Sequence, residues 1–356
     1  MHISPPARGI LIGLLLALCL VLTGCGAGQL RSADGTYHLS VADFFPNGHV
    51  ISVNGARHFI ARAEELSGGT VKFDYFPAAQ MGDAENLVDL TRAGVVDVAT
   101  AVPAYVPAKL PLSGVADLPG ATTDACDGSL AFERLSAPGG ILWEKDFTRN
   151  DIRPLFVAVL PGYEVMTRTR PALTPADVRG MTLRSSGGTV DRAISAAGAA
   201  PVSMSSTDTY LAVSRGTVDG LVFPPLSASP YRLGEVVDHI TQGANLGAGS
   251  ITYSVSERVW QQLPPEVQQA LEQAGRETTR HLCQQVTRKN AEALAGMARD
   301  GARVHTLTPQ QRAAWAREMD TVTATWRSEM ESVGLAGDAV YAEMTRVMAE
   351  VREERR

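Results

Sequence analysis

The segment Met181-Thr182-Leu183-Arg184-Ser185-Ser186-Gly187-Gly188-Thr189 carries the strongest chemical signal in the 356-residue chain. It reads as a strand ending at an arginine, after which small and glycine residues open a helix. Backbone N–H groups at a helix start attract an anion, and an adjacent guanidinium can hold a carboxylate by two parallel hydrogen bonds. Each charge-assisted bond contributes roughly 1.5–3 kcal/mol, enough to set specificity for an acid. The competing reading of Arg184 is a surface arginine in a salt bridge.

A second group precedes the first expected helix: Phe44, Phe45, Pro46 and His49. Aromatic side chains there can form an apolar wall against a ligand body, or belong to the core; one of each is expected. His49, near a helix start, reads as a solvated residue with a ligand contact as the alternative. Phe223, at a strand end, divides evenly between wall and core. Val102, Ser186 and Gly187 complete the candidates read from strand ends and the glycine turn.

Other chemistries lack their residues. No CxxC occurs, and the seven histidines show no HExxH or other close ligand spacing, so neither a metal nor a cofactor is expected. The GxGxxG, GxxxxGK[ST] and GxSxG patterns are missing from the sequence as well. A formal net charge of −6 argues against a nucleic-acid partner, which requires a basic face. With 45% hydrophobic and 20% charged residues, the chain can bury a core and is not disordered.

The apolar run from Ile10 to Leu22 follows Arg8. At about 1.5 Å per residue it reaches about 20 Å, short of the ~30 Å hydrocarbon core but suited to a signal peptide. Leu22-Thr23-Gly24-Cys25 then looks like a bacterial lipobox, so residues 1–24 are expected to be a removed leader and Cys25 a lipidated first residue. An ordinary leader with an incidental cysteine and a retained anchor are the alternatives. Export would leave Cys126 and Cys283 in a compartment that permits disulfides, where a bridge stands against two separate buried thiols.

Elements must position these residues, and their alternation of short strands and helices is the signature of α/β architecture. A strand at 37–43 leads to a helix from about His49 to Ser67, which would place Val53, Ala56, Ile60, Ala63 and Leu66 on one face. Strands at 71–76 and 95–102 flank a helix capped by Asp83. A second αβ series follows residue 160, and residues 250–256 form a late strand returning to the first lobe. Beyond Pro265 no proline occurs up to residue 300, so one helix could run about 54 Å; it either breaks near Gly275 or bridges both lobes as a strut. Two further helices occupy 309–332 and 337–353. The division is 25–36 as tether, 37–160 plus 250–290 as lobe I, and 161–249 plus 291–356 as lobe II, with a hinge and a ligand cleft between.

The run Leu173-Thr174-Pro175-Ala176-Asp177-Val178-Arg179-Gly180-Met181-Thr182-Leu183-Arg184 resembles the "PADLKGLKIR" segment of TRAP-transporter solute-binding proteins of the DctP type. Other landmarks fall in that family's order. They are Phe76-Pro77-Ala78-Ala79-Gln80-Met81-Gly82-Asp83, Gly94-Val95-Val96-Asp97, Gly198-Ala199-Ala200-Pro201-Val202-Ser203-Met204, and Tyr210-Leu211-Ala212-Val213 with Gly216-Thr217-Val218-Asp219-Gly220. The resemblance spans about residues 37 to 300. It implies a two-lobed periplasmic-binding-protein-like α/β fold that closes over a small organic acid and delivers it to membrane permease subunits. It also implies that Arg184 binds the carboxylate.

Two departures bear on the ligand. In Pro161-Gly162-Tyr163-Glu164, Glu164 occupies the place where sialic-acid-binding members carry a second arginine. Leu221-Val222-Phe223-Pro224 replaces an asparagine common after the Val-Asp-Gly motif, in a version that resembles members taking aromatic or other apolar carboxylates and 2-oxo acids. An acid at 164 would repel a second carboxylate, so a monocarboxylate is favoured, with Tyr163 and Glu164 as contacts to its polar groups. The alternatives are a sensor or adaptor built on the same fold, an extracytoplasmic enzyme, and a binding protein of the ATP-driven type.

Overall fold

The computed structural model describes residues 30–121 and 124–356. The expected leader and Cys25 lie outside these residues. Two sheets organise the chain. The first contains β1 (Tyr37–Ala42), β2 (Val71–Phe76), β3 (Val98–Ala101), β4 (Ile152–Val159) and the late strand β10 (Ser250–Ser256), in the order β2-β1-β3-β10-β4. The second contains β5 (Glu164–Thr167), β6 (Thr182–Ser185), β7 (Ala200–Ser203), β8 (Gly220–Phe223), β9 (His239–Gln242) and β11 (Arg303–Thr306), in the order β11-β9-β5-β8-β6-β7. In each sheet one strand that arrives from the other lobe runs antiparallel: β10 between β3 and β4, and β5 between β8 and β9. The α/β reading and the return of residues 250–256 to the first lobe both hold.

Local chemistry accounts for the elements that flank Arg184. Thr174 and Asp177 form a reciprocal capping box around Pro175, which starts the turn before β6. Gly198, at φ +83°, ends the helix Thr189–Ala196 and returns the chain to β7. Strands β3, β8 and β10 are buried at every position, as expected of strands covered on both faces.

The helix expected at 49–67 differs in phase. A π-helical turn at Ser52–Ala56 precedes the α-helix Arg57–Leu66. One extra residue per turn rotates the apolar stripe, so Ser52, Gly55, Ala56, Phe59 and Ala63 face inward while Val53 is exposed. The tether also ends earlier than expected. Residues 30–36 form a turn in which Ser32 N–H donates to Thr36 C=O at 2.7 Å, and Arg31 bridges Tyr37.

The strut is continuous. Helix Pro265–Arg299 packs on β4 and on helices 57–66 and 125–136 in the first lobe, and on the short helix Pro225–Ala228 in the second. Gly275 does not break it; a side chain there would collide with the carbonyl of Leu155, so glycine permits a close helix–sheet approach. Cys126 and Cys283 are joined as a disulfide, tying helix 125–136 to the strut. The assignment of residues 337–356 to the second lobe is corrected. Helix Gly337–Glu354 packs on helix 125–136 of the first lobe, where Arg355 meets Asp124 at 2.7 Å and Arg352 meets Asp127. Among the described residues no helix is long and apolar enough to cross a membrane.

Two segments that pass between the lobes run side by side. Leu160 N–H donates to Gly249 C=O, Tyr163 N–H to Gly247 C=O, and Leu246 N–H to Tyr163 C=O, at 2.8–3.0 Å. This short ribbon is the hinge beneath the cleft.

Candidate functional site

In open parallel sheets, ligands bind outside the carboxyl ends of the strands. Here β1 delivers Phe44 and Phe45, β3 delivers Val102 and Tyr105, β6 delivers Arg184 and β8 delivers Phe223, all toward the gap between the sheets. All of these but Arg184 line a chamber of about 20 Å³. Its first-lobe wall is Phe44, Phe45, Val102, Tyr105 and Ile251, and its second-lobe wall is Ser206, Phe223, Pro224 and Ser227. Hinge residues Leu160, Tyr163 and Gly249 close the base.

Arg184 is fully buried and stands behind the chamber wall, touching two residues that line it, Phe223 and Tyr105. Its guanidinium carbon lies 5.0 Å from the Phe223 ring centroid. Nη2 donates to the Tyr105 hydroxyl at 3.1 Å and to the Met204 carbonyl at 2.6 Å. Nε and Nη1 have no partner among the described residues. Among the described residues no carboxylate pairs with it, and an uncompensated buried charge costs several kcal/mol. A ring face and a hydroxyl offset part of that cost. An anion brought between the lobes would offset the rest, and that is the chemistry this arrangement can perform. The surface-arginine reading is excluded.

The approach to Arg184 is shaped by the glycine turn. Gly187 adopts φ +94°, and a Cβ there would lie 2.7 Å from the Ala104 carbonyl of the first lobe. Gly187 therefore seats one lobe on the other and does not line the chamber. Asp191 accepts hydrogen bonds from Ser185 and Ser203, and Gly187 N–H donates to Ser185 Oγ, which sets the turn. The neighbouring Ser186 hydroxyl is buried without a partner among the described residues.

Phe44 and Phe45 both line the chamber, so the expected division into one wall and one core residue is corrected. Beneath them Asp43 accepts from Phe45 N–H, Ser52 Oγ, Tyr75 Oη and Tyr253 Oη at 2.6–3.0 Å. Burial raises the pKa of this carboxyl despite those four donors. The even division for Phe223 resolves to a wall residue that also faces Arg184.

His49 is not solvated but fully buried. Ile51 N–H donates to Nδ1 at 3.2 Å, so Nε2 carries the proton and donates to Ser227 Oγ, 2.9 Å away on the second lobe. The ring stacks on Phe45 at 4.5 Å, and burial pushes its pKa down to about 3. His49 acts as a neutral latch across the cleft.

Glu164 departs most from expectation. Its carboxylate accepts Gly243 N–H at 2.8 Å and Ala244 N–H at 3.0 Å, and it does not line the chamber. Burial raises its pKa to about 7. The role expected at the ligand is replaced by one at the hinge, where it fixes the start of the returning segment. Tyr163 does line the chamber, its hydroxyl lying over Gly249.

Sequence reasoning missed Tyr105, Ser206, Ser227 and Tyr231. Tyr105 lies in a proline-rich stretch with no periodic signal; its place just past a parallel strand was the available clue. Tyr231 packs edge-on to Phe223, its hydroxyl buried near Ser206.

Two α/β lobes that close a buried cation and aromatic walls between them define a receptor for an organic anion. Three comparisons agree with that class. Residues 44–329 match the bacterial extracellular solute-binding proteins, family 7 (DctP). The C4-dicarboxylate-binding periplasmic protein DctP of Rhodobacter capsulatus is 27% identical over 283 residues, covering 75% of this chain and 80% of its own. A TRAP solute-binding protein from Rhodoferax ferrireducens, solved with copurified benzoate, has a TM-score of 0.83 at 20% identity, covering 90% of this chain and 100% of its own. A marine-metagenome TRAP solute-binding protein specific for aromatic acids, solved with 3-hydroxybenzoate, has a TM-score of 0.82 at 20% identity and coverage of 89% and 99%. The chain belongs to the DctP family of extracellular solute-binding proteins.

Proposed function

We propose that this protein is the extracytoplasmic receptor of a TRAP-type transporter, and that it captures an aromatic monocarboxylate and delivers it to membrane permease subunits. The observation that carries this reading is the buried Arg184 guanidinium, without an ion-pair partner among the described residues, which lies over Phe223 and donates to Tyr105, two of the aromatic residues lining the chamber. Arg184 takes the carboxylate, while Phe44, Phe45 and Phe223 cover the ring. A C4-dicarboxylate needs a cation at each end, and among the described residues no arginine or lysine lines the chamber, Arg184 standing behind Tyr105 and Phe223. Benzoate and 3-hydroxybenzoate in two structural relatives support the aromatic preference. Lipidation at Cys25 would hold the receptor at the membrane that carries its permease.

Because the chamber is smaller than an aromatic acid, binding includes separation of its walls. Ligand then shifts an open–closed equilibrium through its contacts with both lobes. The same small volume favours a second reading, in which the ligand is a compact 2-oxo or hydroxy acid. Thermal-shift and calorimetric titration of the soluble chain with benzoate, mandelate, pyruvate and succinate separates the readings. Binding of benzoate or mandelate alone supports the first, pyruvate alone the second, and succinate alone contradicts both.

A further inference from the structure

The bond between His49 and Ser227 joins the two lobes at the edge of the chamber. Ser227 lines the chamber; His49 does not, but meets it through that bond. Both ring nitrogens are engaged. Nδ1 accepts Ile51 N–H at 3.2 Å, and Nε2 donates its proton to Ser227 Oγ at 2.9 Å. A second proton would have to sit on Nδ1, facing the Ile51 N–H donor, so the latch admits only the neutral ring.

The surroundings offer that second proton no support. Phe45 covers one face of the ring, and beneath it the Asp43 carboxyl is engaged by Phe45 N–H, Ser52, Tyr75 and Tyr253. On the ring's own segment, Arg57 reaches Asn47 Oδ1 at 2.7 Å. The second lobe presents Ser227 and Tyr231, whose ring lies 6.0 Å away, whose pKa burial raises and on which the Arg184 charge also acts. The strut presents Asn290, which accepts Leu226 N–H at 3.0 Å, and Lys289 and Glu292, paired at 2.6 Å. Arg232 pairs with Glu235 at 2.8 Å. Burial alone pushes the His49 pKa down to about 3.

Part of that burial comes from the second lobe. When the lobes separate, Ser227 and Tyr231 leave with it, and the adjoining groove lined by Gly48, Val50, Leu226, Ser229 and Pro230 brings water to the ring. Resting on the reading that an organic acid closes the two lobes, we propose that ligand capture is coupled to release of a proton from His49. In acid the open receptor holds the ring protonated, and closure expels that proton so that the bond to Ser227 can form. The open ring titrates at the ordinary value of about 6.5, so protons compete with the ligand below that pH and not above it. A carboxyl that became more buried on closure would take up a proton instead, so Asp43, Asp117 and Glu164 give the opposite sign.

The test titrates benzoate, mandelate and pyruvate into the wild-type chain by calorimetry at pH 7.5 and 5.5. Each titration is run in two buffers of different ionisation enthalpy, so that the buffer dependence of the heat counts protons. For an acid that binds, the expected results are roughly tenfold weaker affinity at pH 5.5, and about one proton released per ligand there against almost none at pH 7.5. His49→Gln replaces the Nε2–H donor with an amide N–H that does not titrate. Whatever its absolute affinity, the variant should bind within twofold at the two pH values and release no proton. A wild-type affinity independent of pH, or proton uptake on binding, overturns this inference alone. A variant that folds and keeps the tenfold pH dependence does the same. The wild-type proton count needs no variant, so it decides the matter even where His49→Gln folds poorly. Binding of none of the three acids overturns both ligand readings above and this inference with them.

Discussion

Arg184 Nη2 donates to the Tyr105 hydroxyl at 3.1 Å, joining a strand end of the second lobe to a turn of the first. The buried cation proposed to take the anion is thus also a contact across the cleft. On the proposed reading, closure and ligand capture share one side chain, so differential affinity for the closed state is built into Arg184.

The seat between the lobes depends on residue 187 having no side chain. In Gly187→Ala, a Cβ would press on the Ala104 carbonyl at 2.7 Å from a φ of +94°. Left-handed backbone costs an alanine about 1–2 kcal/mol before that contact is counted. The expected result is at least tenfold weaker ligand binding and a loss of ligand-induced compaction in small-angle X-ray scattering. Normal compaction would show that Gly187 does not govern closure.

Glu164→Gln should reduce stability without reordering ligand preference. An amide can accept from only one of the Gly243 and Ala244 N–H groups through its oxygen, leaving the other donor facing an NH2. The expected loss is about 1–3 kcal/mol, read by chemical denaturation. A changed ranking among benzoate, mandelate and pyruvate would instead return Glu164 to the ligand.

His49 gives a pH dependence with a definite sign. Its pKa is lowered by burial from 6.5 to about 3, so below 6.5 the unfolded chain binds the extra proton and the folded chain does not. The stability held by the neutral ring is complete above pH 6.5 and is lost as pH falls toward 3, by up to about 1.4 kcal/mol per pH unit. His49→Gln removes that titration. The stability gap between wild type and variant should therefore narrow by about 1.4 kcal/mol between pH 7.5 and 5.5. A gap independent of pH would mean that the histidine can be protonated in the folded chain.

Cys126 and Cys283 close a long loop, with a sequence separation of 157. Denatured, unreduced protein is expected to show no titratable thiol at these positions. The double serine variant should lose about 2–4 kcal/mol of stability. Two free thiols would remove the bridge from the account.

Features written in local sequence were legible. The strand-to-glycine turn at 181–189, the capping signals around Pro175 and the proline-free run beyond Pro265 each predict what is observed there. Contacts that depend on distant residues were not. The π-turn at 52–56 shifts a helix face without changing its composition, so Val53 looked inward and is exposed. His49 looked solvated because its cover, Phe45 and Ser227, comes from two lobes. Glu164 looked like a ligand contact because sequence position alone cannot reveal the Gly243 and Ala244 amides that claim it. The docking of 337–354 on the first lobe required a return path that no local motif encodes.

Calorimetric titration of Arg184→Gln with an aromatic monocarboxylate that the wild type binds is the most direct measurement. Glutamine is neutral, and its amide ends at the level of Arg184 Nε, two bonds short of the Nη2 that donates to the Met204 carbonyl at 2.6 Å, so the fold of the variant is checked beside the titration. Loss of one charge-assisted hydrogen bond, at about 1.5–3 kcal/mol, sets the expectation of at least tenfold weaker binding. Affinity within twofold of the wild type, in a variant that folds, would contradict a carboxylate held by Arg184.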